Sequence, residues 1–154
     1  MSNHLLTYSF LILSFLLFNI GTYFVPKRIS KIEVHATGLF YMIIELLLEL
    51  FLIKKLDWYG YFHAPIQWIQ LFVIFGMYGA GVLIINAYPF HKGFMSKAFY
   101  YVYMTAFWTF YEWLAVKAGM LNYHHWKILY SAIVYPFLFY LGIAHIYLIR
   151  RLLK

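Results

Sequence analysis

Tyr111-Glu112-Trp113-Leu114-Ala115-Val116-Lys117-Ala118-Gly119 sets a carboxylate inside an apolar run of membrane-helix length. Asn122-Tyr123-His124-His125-Trp126-Lys127 then follows it with a cluster of tyrosine, histidine and tryptophan. A charge in hydrocarbon costs about 2.5–3.5 kcal/mol on insertion scales, so an acidic residue in such a run is rare and usually faces a bundle interior or water. Only five acidic residues occur in the chain, and three of them, Glu45, Glu49 and Glu112, sit within hydrophobic segments. The remainder of the sequence reads as the means of housing them.

The 154 residues give room for one domain. They are 65% hydrophobic and 11% charged, against about 45–50% apolar and 25% charged for a soluble domain. That deficit of charge, with long apolar runs, points to a multi-pass membrane protein. The formal charge of +7 is carried mainly at the ends of the apolar runs, where basic residues set orientation and meet anionic lipid; it is no nucleic-acid footprint. The chain has no cysteine, which excludes disulfides, Cys-ligated zinc and thiol catalysis. Residues 1–4 carry no Lys or Arg and the first apolar run has full spanning length, unlike a cleaved signal peptide.

The predicted fold is all-α, an integral membrane bundle of five transmembrane helices. A single membrane domain covers 1–154, with spans at about 5–25, 35–53, 66–86, 98–118 and 128–149, each near the roughly 20 residues that cross hydrocarbon. A basic loop joins the first two spans. Leu56 to Pro65, aromatic and broken by Gly60 and Pro65, reads as an interfacial loop. In the third span Gly76 and Ala80 form a small-xxx-small pair suited to close helix approach. Pro136 should kink the fifth. An N-terminus outside puts eight basic residues (Lys27, Arg28, Lys31, Lys92, Lys97, Arg150, Arg151, Lys154) in the cytoplasm and four (Lys54, Lys55, Lys117, Lys127) outside, so the positive-inside rule predicts N-out, C-in.

In that topology Glu49 and Glu112 both lie about 7–9 Å below the outer ends of their helices. Gln70, Ser131 and Ser9 fall in the same layer, and Thr105, Thr109 and Glu112 follow i, i+4, i+7. The expected site is an outward-facing polar pocket. Glu49 and Glu112 form its floor and Gln67 and Gln70 its wall, with His63, His124, His125 and the loop tyrosines Tyr59, Tyr61 and Tyr123 at its mouth, and Thr109 and Trp113 of the fourth span are further candidates. Such carboxylates could carry protons, bind a cation or hold a headgroup. Equally, each could satisfy a neighbouring hydroxyl or amide and only fix packing, the role expected of the deeper Glu45. His145 is expected to pair with Asn19 or Asn86. Adjacent His124 and His125 point apart; His63 and Glu112 could complete a metal site with them, but nothing in the spacing requires it, and interfacial histidines bonded to water or headgroups are the commoner case. No metal or cofactor is expected, and no HExxH, GxSxG or P-loop motif occurs.

Tyr59-Gly60-Tyr61-Phe62, Asn86-Ala87-Tyr88-Pro89, Tyr111-Glu112-Trp113, Tyr123, Trp126-Lys127 and Tyr130-Ser131 occur in an order and rough spacing that resembles a family of small, uncharacterised multi-pass membrane proteins of spore-forming Gram-positive bacteria. The likeness runs from Lys27 onward. The family pattern carries an acidic residue, usually Asp, where Glu49 stands. The resemblance implies a bacterial cytoplasmic membrane and five helices, and it implies no activity.

Three functional classes follow. The first is a non-catalytic protein whose pocket binds a lipid headgroup, a small ligand or a partner. The second is a small proton- or cation-linked transporter. The third is a lipid-modifying enzyme using Glu112 beside His124 or His125. Expected partners are membrane lipids, with room for a membrane protein partner or a homo-oligomer, and no nucleic acid.

Overall fold

Ser30 opens the second helix with a capping box. Its hydroxyl accepts the Glu33 N–H at 3.3 Å, and the Glu33 carboxylate accepts the Ser30 N–H at 2.6 Å. Lys31–Glu33 is therefore the first helical turn and not part of a basic loop. In the computed structural model, which describes residues 2–61, 68 and 70–154, the chain is all-α. Its elements run α1 (Ser2–Phe24), α2 (Lys31–Leu48), β1 (Tyr59–Tyr61), α3 (Gln70–Asn86), α4 (Phe94–Lys117), β2 (Leu121–Tyr123) and α5 (Ile128–Leu152). His63 and Gln67 lie outside the described residues.

Leu5–Phe24, Lys31–Lys55 and Ile128–Leu152 are long and apolar enough to cross a membrane. That makes three such helices where five were expected. α3 is apolar but its described length is 17 residues. α4 has 24 residues, but Ser96, Thr105, Thr109, Glu112 and four tyrosines dilute its hydropathy.

α2 does not end at Leu48 but continues as a π-helical stretch, Glu49–Lys55. The widened turn is seen in Leu56 N–H donating to the Phe51 carbonyl at 3.0 Å, five residues back. Beyond it, the segment read as an unstructured interfacial loop holds β1, which pairs antiparallel with β2: Tyr59 opposite Tyr123, Gly60 opposite Asn122, Tyr61 opposite Leu121. The N–H groups of His124, His125 and Trp126 all converge on the Trp58 carbonyl at 2.9–3.0 Å. The two loops at this end of the bundle are thus one bonded unit, called the hairpin end below.

α3 packs between α1 and α2, while α5 packs against α4, α2 and α3. Close approach of α1 and α3 depends on Gly79, where an added Cβ would fall 2.5 Å from the Phe18 carbonyl. The Gly76 position is less crowded, 4.0 Å from Phe15 Cα. A main core of Phe18, Tyr41, Ile85, Trp108, Phe139 and Ile146 fills the middle and the far end. A second cluster, Leu11, Tyr61, Val73, Ala115 and Met120, lies beneath the hairpin. The outer faces are apolar and exposed, as at Leu13, Leu17, Phe99, Val102 and Phe137.

Candidate functional site: an acidic cavity under the hairpin

Tyr41, Glu45, Leu48 and Leu52 recur at i, i+4, i+7, i+11, which places them on one narrow seam of α2. That seam faces a cavity of about 160 Å³. From α4 the cavity receives Trp108, Tyr111, Glu112 and Ala115; from α5, Ser131, Val134, Tyr135 and Leu138. α1 supplies Leu11, Ser14 and Phe15, α3 supplies Phe72, Val73 and Gly76, and the hairpin region closes it with Tyr59, Tyr61, Leu121 and Trp126. Every helix contributes.

Glu112 is 7% exposed. One carboxylate oxygen accepts from the Tyr123 hydroxyl and from the Ser131 hydroxyl at 2.6 Å, and the other accepts from the Tyr135 hydroxyl. The direction of this network is fixed by its far end. The Trp126 indole nitrogen can only donate, and it donates to Ser131 Oγ at 2.7 Å. Ser131 must then turn its own proton toward Glu112. Three hydroxyl donors on one carboxyl group is an arrangement suited to an acceptor-only carboxylate.

Glu45 is 5% exposed and accepts from the Tyr61 hydroxyl at 2.5 Å. Tyr59, between Tyr61 and the sheet edge, lies in the field of both Glu45 and Glu112. Burial first, and then the neighbouring carboxylates, push the Tyr59, Tyr61 and Tyr123 hydroxyls well above the ordinary tyrosine range. All three remain protonated donors at neutral pH.

The expected pocket paired Glu112 with Glu49. The cavity wall instead carries Glu45, and Glu49 is only half-buried and lies off that wall. The reason is register: Glu49 is one position past Leu48 on the seam, rotated about 100° from it. Of the other residues named from sequence, Tyr59, Tyr61, Tyr123 and Ser131 gather around the two acids. Gln70 is buried with its side-chain carbonyl unbonded, away from the cavity lining. Thr105, Thr109 and Trp113 line a separate shallow groove between α4 and α5. The i, i+4, i+7 spacing of Thr105, Thr109 and Glu112 holds along the helix, but the stripe is wide enough to straddle two faces.

Ser9 is exposed, and Ser14 takes its place at the cavity. His124 and His125 are exposed, and His124 Nδ1 meets Asp57 at 2.8 Å. His145 stacks on Phe40, with ring centroids 4.3 Å apart, and bonds neither Asn19 nor Asn86. Those asparagines hold backbone groups instead, Asn86 clasping the Arg28 N–H and the Pro26 carbonyl.

Sequence reasoning gave Glu45 a packing role only, and missed Tyr135, Trp108 and the Trp126–Ser131 link. For Glu45 the signal existed, in the Tyr41-Glu45-Leu48-Leu52 seam. Among the described residues no group of three or more His, Cys, Asp or Glu is gathered to hold a metal. Comparison with family models, with curated proteins and with solved structures finds no match to this chain.

Proposed function

We propose that the chain is a five-helix protein of a bacterial cytoplasmic membrane, N-terminus outside and C-terminus inside, that binds a small ligand in the cavity beneath its hairpin. In this reading the shorter α3 and the more polar α4 cross the membrane shielded by α1, α2 and α5. The observation that carries the proposal is the convergence of Glu45 and Glu112, from different helices, on one cavity wall otherwise built mainly of aromatic and aliphatic side chains. Intramembrane carboxylates facing a cavity mark a functional site by default, and an apolar cavity with a few convergent polar groups is the usual form of a small-molecule site.

Binding is favoured over passage. Toward the far end the core holds the buried isoleucines Ile85, Ile143 and Ile146, all 4% exposed or less. Acid–base chemistry with a histidine draws no support from the described residues, where the three partners of Glu112 are hydroxyls and the cavity wall carries no histidine.

The test is a thermal-shift panel of single-ring compounds, charged and neutral, on the full chain in lipid nanodiscs. At least one compound should raise the midpoint of the wild type and leave Val134→Phe, which fills the cavity, unmoved. A panel in which no compound stabilises the wild type, or in which Val134→Phe responds equally, overturns the proposal.

A further inference from the structure

We infer that the ligand selected by this cavity is a benzene-sized organic ammonium ion, with its cationic head at Glu45 and Glu112 and its apolar part against the aromatic wall; the inference rests on the binding reading above. Charge balance is the first argument. Among the described residues, the cavity lining contains two carboxylates and no Lys, Arg or His. Glu33, at the other end of the bundle, shows what this chain does with a buried acid that has only a structural task. It receives Arg150 Nε at 2.5 Å. Glu45 and Glu112 receive neutral hydroxyls instead, one for Glu45 and three for Glu112. Hydroxyl dipoles orient a carboxylate without cancelling its charge, and a carboxyl group buried without a counter-charge either keeps its proton or pairs with a cation. A cation in the cavity supplies what the lining omits.

The wall decides which cation. Calcium takes about six to eight oxygen ligands and magnesium a near-ideal octahedron. Here there are two carboxyl groups, with three of their four oxygens' directions already engaged by hydroxyls, and no cluster of three metal-ligating side chains among the described residues. The rings of Tyr41, Tyr59, Trp108, Tyr111 and Tyr135 make up much of the remaining wall. Aromatic faces attract ammonium groups, most strongly when water is excluded, and aromatic cages are the common recognition device for alkylated ammonium. Size sets the upper bound: about 160 Å³ is close to the roughly 150 Å³ of an apolar cavity that accepts benzene. Trp108, 6% exposed and on the same wall, has an indole N–H with no acceptor. A ring face or an oxygen on the ligand would meet it.

The experiment compares benzylammonium with its neutral isostere ethylbenzene on the full wild-type chain in phosphatidylglycerol nanodiscs. Binding is read by quenching of Trp108 and Trp126, both cavity residues, and by thermal midpoint. Benzylammonium should bind at least about tenfold more tightly than ethylbenzene, the order of a desolvated cation–π contact with a carboxylate partner. Glu45→Gln and Glu112→Gln should each lose that preference while still binding ethylbenzene. The isostere comparison on the wild type needs neither variant to fold.

Equal binding of the two compounds, unaffected by either variant, overturns the ammonium inference and leaves the ligand site standing. Binding of neither compound, or of any other panel member, removes both. A response to potassium alone that matches benzylammonium also overturns the inference, since it would show an alkali-cation site. Replacing phosphatidylglycerol by phosphatidylethanolamine distinguishes two sources of the same chemistry. Competition by the amine headgroup supports a lipid as the ligand, and unchanged affinity supports a free ammonium ion.

Discussion

Glu33 and Glu112 are both buried acids, one at each end of the same bundle, and the chain treats them in opposite ways. Glu33 closes a capping box with Ser30 and holds Arg150, whose guanidinium also lies 4.1 Å over the Phe90 ring. Around it Asn86 satisfies backbone groups of the α1–α2 connection, and the Tyr100 hydroxyl donates to the Ile84 carbonyl at 2.9 Å. Charge and hydrogen bonding are both satisfied there, and the end reads as a clamp between α2 and α5. At the hairpin end Glu112 is equally buried and richly hydrogen-bonded, yet among the described residues no basic side chain reaches it or Glu45. A protein that can place an arginine on one buried glutamate and leaves two others without one has different uses for its two ends.

The largest effect should come from unbalancing the balanced end. Glu33→Gln removes the partner of Arg150 and the carboxylate of the capping box together. Breaking a buried pair costs about 3–5 kcal/mol, and because the Arg150 side chain is 30% exposed and can turn toward water, about 2–3 kcal/mol is the expected loss. Reversible unfolding in mixed micelles, followed by circular dichroism, measures it. A loss below that of Glu112→Gln would erase the contrast between the ends.

Next in size is an alkaline limb that belongs to the hairpin. The Tyr61 and Tyr123 hydroxyls are pushed up by burial and by the carboxylates they donate to. Their contribution is fully present below the ordinary tyrosine value of about 10. Above that pH the unfolded chain loses the proton while the folded chain keeps it. Stability should then fall by about 1.4 kcal/mol per pH unit for each tyrosine. Tyr123→Phe should flatten the slope by one such increment. An unchanged slope between pH 10 and 11 would mean that the Tyr123–Glu112 bond contributes nothing to the hairpin end.

How far this contrast was legible in the letters depends on what each residue's role rests on. Glu112 and Ser131 fall at similar depth by counting residues from helix ends, and the count works because an α-helix has a fixed rise. The five helices were readable from apolar runs for the same reason. Which of Glu45 and Glu49 lines the cavity was not legible, because two acids four residues apart share a broad face and only packing decides which meets the seam. The pairing of Tyr59–Tyr61 with Leu121–Tyr123 joins segments some sixty residues apart, and no local propensity in three-residue strands announces it. The widened turn at Glu49–Lys55 is equally silent in sequence. Arg150 and Glu33 are separated by 117 positions, so their pairing is a property of how the bundle folds up rather than of either segment.

A smaller effect sharpens the comparison from the other side. Glu112→Gln keeps a carbonyl oxygen for two of the three hydroxyl donors and removes the charge. The cost of one weakened bond is about 1 kcal/mol, and relief of an unbalanced buried charge works against it. The net change should stay within about 1 kcal/mol of zero, in the same micelle assay, while Glu112→Leu, which strands three hydroxyls, should cost more than the Gln variant. A Gln variant as damaging as Glu33→Gln would make Glu112 a clamp like its counterpart.

The least should follow from the charge pair that is easiest to see. His124 and Asp57 meet at 2.8 Å, but their side chains are 44% and 75% exposed, so water competes for both. Exposed pairs contribute about 0–1 kcal/mol and many contribute nothing measurable. The connection is held instead by three backbone N–H groups on the Trp58 carbonyl and by the β1–β2 pairing, none of which needs a side-chain charge. Asp57→Asn should therefore change stability by less than about 0.5 kcal/mol and leave amide exchange of Tyr59–Tyr61 unaltered. Asp57 also has a positive φ of 50°, a conformation that asparagine accepts as readily as aspartate, so this substitution isolates the charge from the backbone. Faster exchange across β1 in the variant would assign the closure of the cavity to the ion pair rather than to the main chain.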